Sequence, residues 1–377
     1  MENKSTAFSP TVNRDVLTDV VRSVLLNESV EVKTWHLQQI GGGFGNPVSV
    51  GLFRVQGIAS DGDFERTWTV ILKVLQSPEN IGLKDMGGSE DMTHWNYWKR
   101  EPLVYQSGIL DQLPEGLAAP RCYAVEELPG ELAHLWLEDI QDMHKGAWSL
   151  QRYALTACQL GRLNGMYSNK SSYPEYPWLG RDILRQWLHM LSPTEVPWDH
   201  PLLLSHYPEP DENPFIQLVF QHERFLEKLD LLPITLSHGD TYPTNFMSRI
   251  DSEGRVQTVA LDWALLGLQP LGYDLGQFVY GAMNNLNGMD QKEIIDTLFE
   301  AYVQGLRDEG CNLDADLLRY GFAVSAALRV GLFQFYFLLQ AIEEGNAEEG
   351  MNEIAKTLPS RLRRSWLVKP SDCWEDD

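Results

Sequence analysis

Cysteine is scarce: four in 377 residues, with no C-x-x-C pair among them. Cys122, Cys158, Cys311 and Cys373 stand far apart. That spacing favours reduced thiols in a cytoplasm over a disulfide framework or a zinc site. Long apolar runs are missing too, and none reaches the length of a membrane span. The start, Met1-Glu2-Asn3-Lys4-Ser5, leads to no signal-type apolar stretch. The expectation is a cytoplasmic protein without a membrane partner. Basic charge is in deficit, with 30 Lys+Arg against 53 Asp+Glu and a net charge of -23. Nucleic-acid binding needs a basic footprint, so no nucleic-acid partner is expected. No internal repeat or low-complexity segment is present, and there is neither a strict G-x-G-x-x-G nor a P-loop lysine.

What is there reads as an ordinary globular chain, 43% hydrophobic and 22% charged, with 12 Trp, 14 Tyr and 14 Phe for a core. Its length allows one large or two ordinary domains. The acidity is compatible with the attraction of a cationic small molecule, but plain solubility is the favoured reading. Oligomeric state is not legible.

The texture changes along the chain. Residues 11–28 carry Val16, Val20, Val21, Val24 and Leu25 at helical spacing. Strand-like runs follow at 32–40, 49–58 and 68–75. Between the first two lies Gly41-Gly42-Gly43-Phe44-Gly45-Asn46, either a plain glycine hairpin or a turn built for close backbone approach to a ligand. Lys73 sits in the third run among apolar neighbours, where burial is costly unless it is paired or serves a ligand. A helix is expected over 92–107, and its Glu101 is the natural partner for Lys73. Two further runs, 121–126 and 132–137, flank Leu128-Pro129-Gly130-Glu131 and form a hairpin. Beyond residue 140 the pattern is helical: 150–166, 182–191, 215–229, 273–287, 290–309, 313–344 and 351–366. Interrupting these helices is Ser237-His238-Gly239-Asp240-Thr241-Tyr242-Pro243-Thr244-Asn245, with an apolar run before it and a second run after it ending in Asp262-Trp263. Asp, Asn, Gly and Pro make turns in any protein. Two carboxylates and an amide near strand ends also suit divalent metal and polyphosphate, since hard cations want oxygen ligands.

The order of these features is specific. A glycine turn, a strand lysine, a helix glutamate and a hairpin give way to a helical half holding H-G-D-x-x-x-x-N and then D-W. This resembles the protein-kinase-like fold, and within it the aminoglycoside phosphotransferase and choline kinase group of small-molecule kinases, over roughly residues 30–345. The resemblance implies an α+β, two-lobe fold. Residues 1–137 would be a nucleotide-binding lobe of antiparallel sheet plus helix. Residues 138–377 would be a mostly helical lobe with the catalytic loop and acceptor site, and 168–214 its specificity segment. It also implies ATP, or GTP, with Mg2+. Asp240 would serve the acceptor hydroxyl, and Asn245 and Asp262 would ligate metal. Lys73, oriented by Glu101, would hold the α- and β-phosphates, Gly42 and Gly43 would cover them, and Glu138 to Ile140 would contact the base. Asp274 would buttress the catalytic loop, or simply open a helix. His238 is read as a structural element of the loop. Asn164 stands where many relatives have His. The aromatics Tyr173, Tyr176, Trp178, Trp187 and Trp198 either hold a cationic acceptor or fill core.

The function implied is transfer of the γ-phosphoryl to a hydroxyl of an amino sugar, amino alcohol or sugar-like acceptor. A catalytically silent, nucleotide- or partner-binding protein of the same fold is the alternative. It would be expected to have lost one of Lys73, Asp240, Asn245 and Asp262, and all four are present. A protein substrate is disfavoured by Gly239 in place of arginine and by the lack of an A-P-E-type segment after Asp262.

Overall fold

This computed structural model describes residues 9–41, 46, 48–81, 88–144, 146–168, 173–191, 195–207, 216–217 and 220–343. In chain order the elements begin with helix α1 (Arg14–Leu25) and strands β1 (Glu31–Ile40), β2 (Ser49–Asp61) and β3 (Phe64–Gln76). Helix α2 (Arg100–Gln106) and strands β4 (Leu117–Ala118), β5 (Cys122–Leu128) and β6 (Leu132–Glu138) follow. Then come α3 (Leu150–Met166), β7 (Gly180–Arg181), α4 (Ile183–Leu191), α5 (Pro201–His206), α6 (His222–Leu229), β8 (Ile234–Ser237), β9 (Phe246–Ile250), β10 (Val256–Ala260) and β11 (Gly267–Pro270). Helices α7 (Tyr273–Asn285), α8 (Gln291–Asp308), α9 (Ala315–Ala326) and α10 (Leu332–Glu343) close the described chain, with a π-helical segment, Ala327–Gly331, between the last two. The architecture is α+β, with an N-terminal antiparallel sheet and a largely helical remainder.

The chain divides into two compact units. The first takes in the described residues up to Leu113, with Ala118–Met143 and Met247–Ala264. The second takes in Pro114–Leu117, His144–Phe246 and the described residues from Leu265 onward. A single cut after residue 137 does not provide for this. Val256–Ala260 and most of β9 are drawn back into the first unit by a small sheet of order β4-β10-β9.

The first unit is organised by a five-stranded sheet of order β1-β2-β3-β6-β5, antiparallel throughout. Alternation along β2 sends Phe53 and Val55 to the core. Helix α1 covers that face, with Leu17, Val20 and Val21 packed against Val55, Val70, Leu72 and Trp136. Asn13 caps α1 by accepting from the Asp15 N–H. Pairing of Lys73 with Leu135 places the lysine in the middle of the sheet.

Helix α2 is shorter than the expected 92–107. Asp91 instead closes a turn, accepting from the Thr93 N–H and hydroxyl. The fully buried guanidinium of Arg100 donates to the carbonyls of Trp95 and His94, which a continuous helix would have used internally, and to that of Ala264. Helix α2 therefore starts at Arg100, and Glu101 lies in its first turn.

In the second unit α3 and α8 cross closely. A Cβ on Gly305 would meet the Cys158 carbonyl at 1.9 Å, so only glycine allows this approach. The run Ala315–Glu343 is, among the described residues, one helix long and apolar enough to cross a membrane by length and composition, contrary to the sequence expectation. Here it packs as a core helix, with Phe322, Leu328, Leu332, Phe335 and Leu338 buried. The expected helix at 351–366, and Cys373, lie outside the described residues.

Candidate active site

In the first unit the sheet and α2 bring three charged side chains together. Lys73 Nζ lies 2.6 Å from Glu101 Oε2 and 3.0 Å from Asp262 Oδ1. Lys73 and Glu101 are almost wholly buried, at 5% and 1% exposure. Burial alone would depress the lysine, but Asp262 and Glu101 outweigh it and raise its pKa. The ammonium therefore stays charged. Asp262 adopts a left-handed backbone, φ 57°, which aspartate tolerates better than most residues. Its side chain is about a third exposed, at 31%.

Glu138 and Ile140 belong to the same unit. Glu138 accepts from Arg249 Nη1 at 2.9 Å, and its own N–H donates to the Arg121 carbonyl. Asp139 between them accepts from Arg54 and Thr69. Ile140 is half-buried. The segment 138–140 is thus pinned by side chains on neighbouring strands. Gly42 and Gly43 lie outside the described residues.

In the second unit the loop after β8 carries Asp240. Gly239 has φ 86°, and a Cβ there would meet the Leu265 carbonyl at 2.0 Å. Fully buried Asp274, in the first turn of α7, accepts from the N–H groups of His238 and Gly239, each at 3.0 Å. Asn164 on α3 donates to Asp274 and to the Leu236 carbonyl. Tyr302 donates to Asn164 Oδ1 at 2.7 Å, and its burial pushes the phenol pKa up, keeping it a donor. Thus α3, α7 and α8 all grip one loop. His238 is buried and its Nδ1 accepts from the Asp240 N–H, a place in the loop's backbone rather than beside a reacting group.

The Asp240 carboxylate is held on several sides. Asn245 Nδ2 donates to Oδ2 at 2.8 Å and to the Asp240 carbonyl at 3.0 Å. Gln277 Nε2 donates to Oδ1 at 2.9 Å. Arg329 Nη2 lies 3.6 Å from Oδ1, an ion-pair distance. About a third of the side chain, 30%, remains exposed.

The sequence reading missed Gln277 and Arg329. Gln277 follows Asp274 by three residues, the spacing that puts both on one face of α7. Arg329 is a lone charge within the apolar stretch from Leu328 to Phe337. A cation there is costly to bury without a purpose, and that was the available signal. Of the aromatics weighed for cation binding, Tyr173 donates to the Ile234 carbonyl, Tyr176 stacks on Trp178 and Trp198 stacks on Phe335. Trp187 faces a cation that the protein itself supplies, Arg329, at 4.9 Å.

Among the described residues no group of three or more His, Cys, Asp or Glu side chains is placed to hold a metal on its own. Magnesium needs no such cage, since it is typically held by one or two protein oxygens and by substrate phosphates. The donor chemistry fits it: Asp262 offers a partly exposed carboxylate. The Asn245 amide has its nitrogen committed to Asp240, so its oxygen is the atom it could offer to a cation.

Sheet, helices and loop define the protein-kinase-like fold, and comparison with known proteins gives the same class. The profile of the ecdysteroid kinase-like family matches residues 217–314, the stretch that holds Asp240, Asn245, Asp262 and Asp274. No curated protein matches the sequence. Among solved structures, an aminoglycoside phosphotransferase from Alicyclobacillus acidocaldarius is similar at TM-score 0.53 and 12% identity, covering 97% of each chain. An aminoglycoside 2'-phosphotransferase-IIIa variant in its GDP complex is similar at TM-score 0.52 and 12% identity, over 92% of this chain and 97% of the other. Amicoumacin kinase hAmiN, in complex with AMP-PNP, Ca2+ and Ami, is similar at TM-score 0.50 and 15% identity, over 86% of this chain and 89% of the other. The fold is thus one that this chain shares with solved aminoglycoside phosphotransferases, as the motif order implied.

Proposed function

We propose that this chain is a small-molecule kinase that moves the γ-phosphoryl of ATP, or of GTP, to a hydroxyl of an amino sugar, amino alcohol or sugar-like acceptor. The observation that carries this reading is Asp240, a partly exposed carboxylate fixed by Asn245 and Gln277 on a loop that three helices hold still. Phosphoryl transfer asks the protein mainly for positioning and charge stabilisation. Asp240 orients the acceptor hydroxyl and takes its proton as the new P–O bond forms. Lys73, held charged by Glu101 and Asp262, supplies a fixed cation for the α- and β-phosphates. Magnesium, when bound through Asp262 and the Asn245 amide oxygen, would neutralise charge on the phosphate oxygens. Segment 138–140 supplies backbone groups for the base.

The test is ADP release from Mg-ATP across a panel of hydroxyl compounds. Asp240→Asn should lower turnover by roughly 10²–10⁴-fold while leaving affinity for Mg-AMP-PNP unchanged. An Asp240→Asn protein that keeps its rate would remove Asp240 from its role. A chain that binds Mg-AMP-PNP but phosphorylates nothing would point to the silent form of the fold.

A further inference from the structure

Arg329 is the feature that the reaction as described does not use. It is 3% exposed, delivered by the π-helical segment within an apolar helix. Its guanidinium carbon lies 4.9 Å from the ring centroids of both Trp187 and Tyr273. Two aromatic rings around one cation are what a protein would use to hold the ammonium of an amino acceptor. Here the protein's own cation fills that place, and its Nη2 faces Asp240 at 3.6 Å. An ammonium brought to the same spot would meet a fixed like charge and a carboxylate already countered.

The hydrogen-bond inventory points the same way. Among the described residues, Arg329 Nη1 and the Tyr273 hydroxyl are buried without a hydrogen-bond partner. Burial pushes the Tyr273 phenol up to about 12, so it is a donor at neutral pH. Arginine has donors only, and a buried unpaired donor is costly. An ammonium, itself a donor, cannot satisfy Arg329; an oxygen can.

Building on the kinase reading, we infer that the acceptor carries a hydrogen-bond-accepting oxygen, as a second hydroxyl, carbonyl or carboxylate, next to the hydroxyl that is phosphorylated, and no ammonium there. Arg329 and Tyr273 are then specificity-determining residues that recognise this oxygen. Acceptors are polyols, sugars or sugar acids rather than amino alcohols, which narrows the class proposed above and reverses the expectation of a cationic acceptor.

Matched compounds that differ only in this group test it: ethylene glycol, glycolate and ethanolamine, and propane-1,2-diol, lactate and 1-aminopropan-2-ol. ADP release with saturating Mg-ATP should show the amine of each set about tenfold or more below the better amine-free member in kcat/KM. Tyr273→Phe deletes only the unpartnered hydroxyl. It should leave the urea midpoint unchanged or higher while raising KM for the amine-free acceptors several-fold. Arg329→Met should erase the discrimination and Arg329→Lys should partly restore it, both with Mg-AMP-PNP affinity intact. A preference for the amine, no response to any amine-free member, or unchanged KM in Tyr273→Phe together with intact discrimination in Arg329→Met would overturn the inference. Loss of both Mg-AMP-PNP binding and ADP release with every compound would instead remove the kinase reading, and this inference with it.

Discussion

Gly239 and Lys73 show how single residues set the chemistry of each unit. The left-handed φ of Gly239 and the 2.0 Å approach of the Leu265 carbonyl leave no room for a side chain. Gly239→Ala should cost about 2–4 kcal/mol, read from urea denaturation. This also accounts for the glycine of H-G-D in physical terms: it fixes the backbone from which Asp240 projects. Lys73 is raised above the ordinary lysine value of 10.5 by its two carboxylates. A raised lysine contributes stability that is fully present below pH 10.5 and is lost as pH climbs through its folded value. The wild-type protein should therefore lose urea resistance on the alkaline side more steeply than Lys73→Met. That variant should also be weaker at neutral pH by about 3–5 kcal/mol, because Glu101 stays buried without its cation.

At the scale of elements, the loop that carries Asp240 is held by helices far apart in sequence. Asn164 on α3 links Leu236 before the loop, Asp274 on α7 and Tyr302 on α8. Asn164→Ala would leave several buried polar groups unpaired. It should cost about 2–4 kcal/mol and lower kcat more than KM, as measured by denaturation and steady-state kinetics. The sequence flagged Asn164 only as a departure from a common histidine, since a hydrogen-bond hub has no local signature. Most elements were legible because their periodicity was strong: α3 spans the expected 150–166, and the N-terminal strands fall where alternation placed them. The helix over 92–107 was not, because Arg100 captures the His94 and Trp95 carbonyls that would have continued it, and its burial also engages Ala264, 164 residues away. The π-helical turn at Ala327–Gly331 was equally hidden, and it is what carries Arg329.

At the scale of the whole molecule, a net charge of -23 means self-repulsion in the compact state. Added NaCl should raise the melting temperature by screening it, as seen in a thermal scan from low to moderate ionic strength. The order of residues along the chain determined by itself the class of fold, the lysine, the carboxylates and the loop. These rest on short-range patterns: period-2 strands, helical spacing and a nine-residue motif. Only tertiary structure decided that Val256–Ala260 returns to the first unit, that Asn164 and Asp274 clamp the loop, and that Gln277 and Arg329 face Asp240. Those partners come from positions 35 to 110 residues apart, and sequence spacing does not encode which of many buried polar groups will meet. The same physics moves the acceptor question from overall acidity, which was merely compatible with a cation, to one buried guanidinium, which argues for an oxygen.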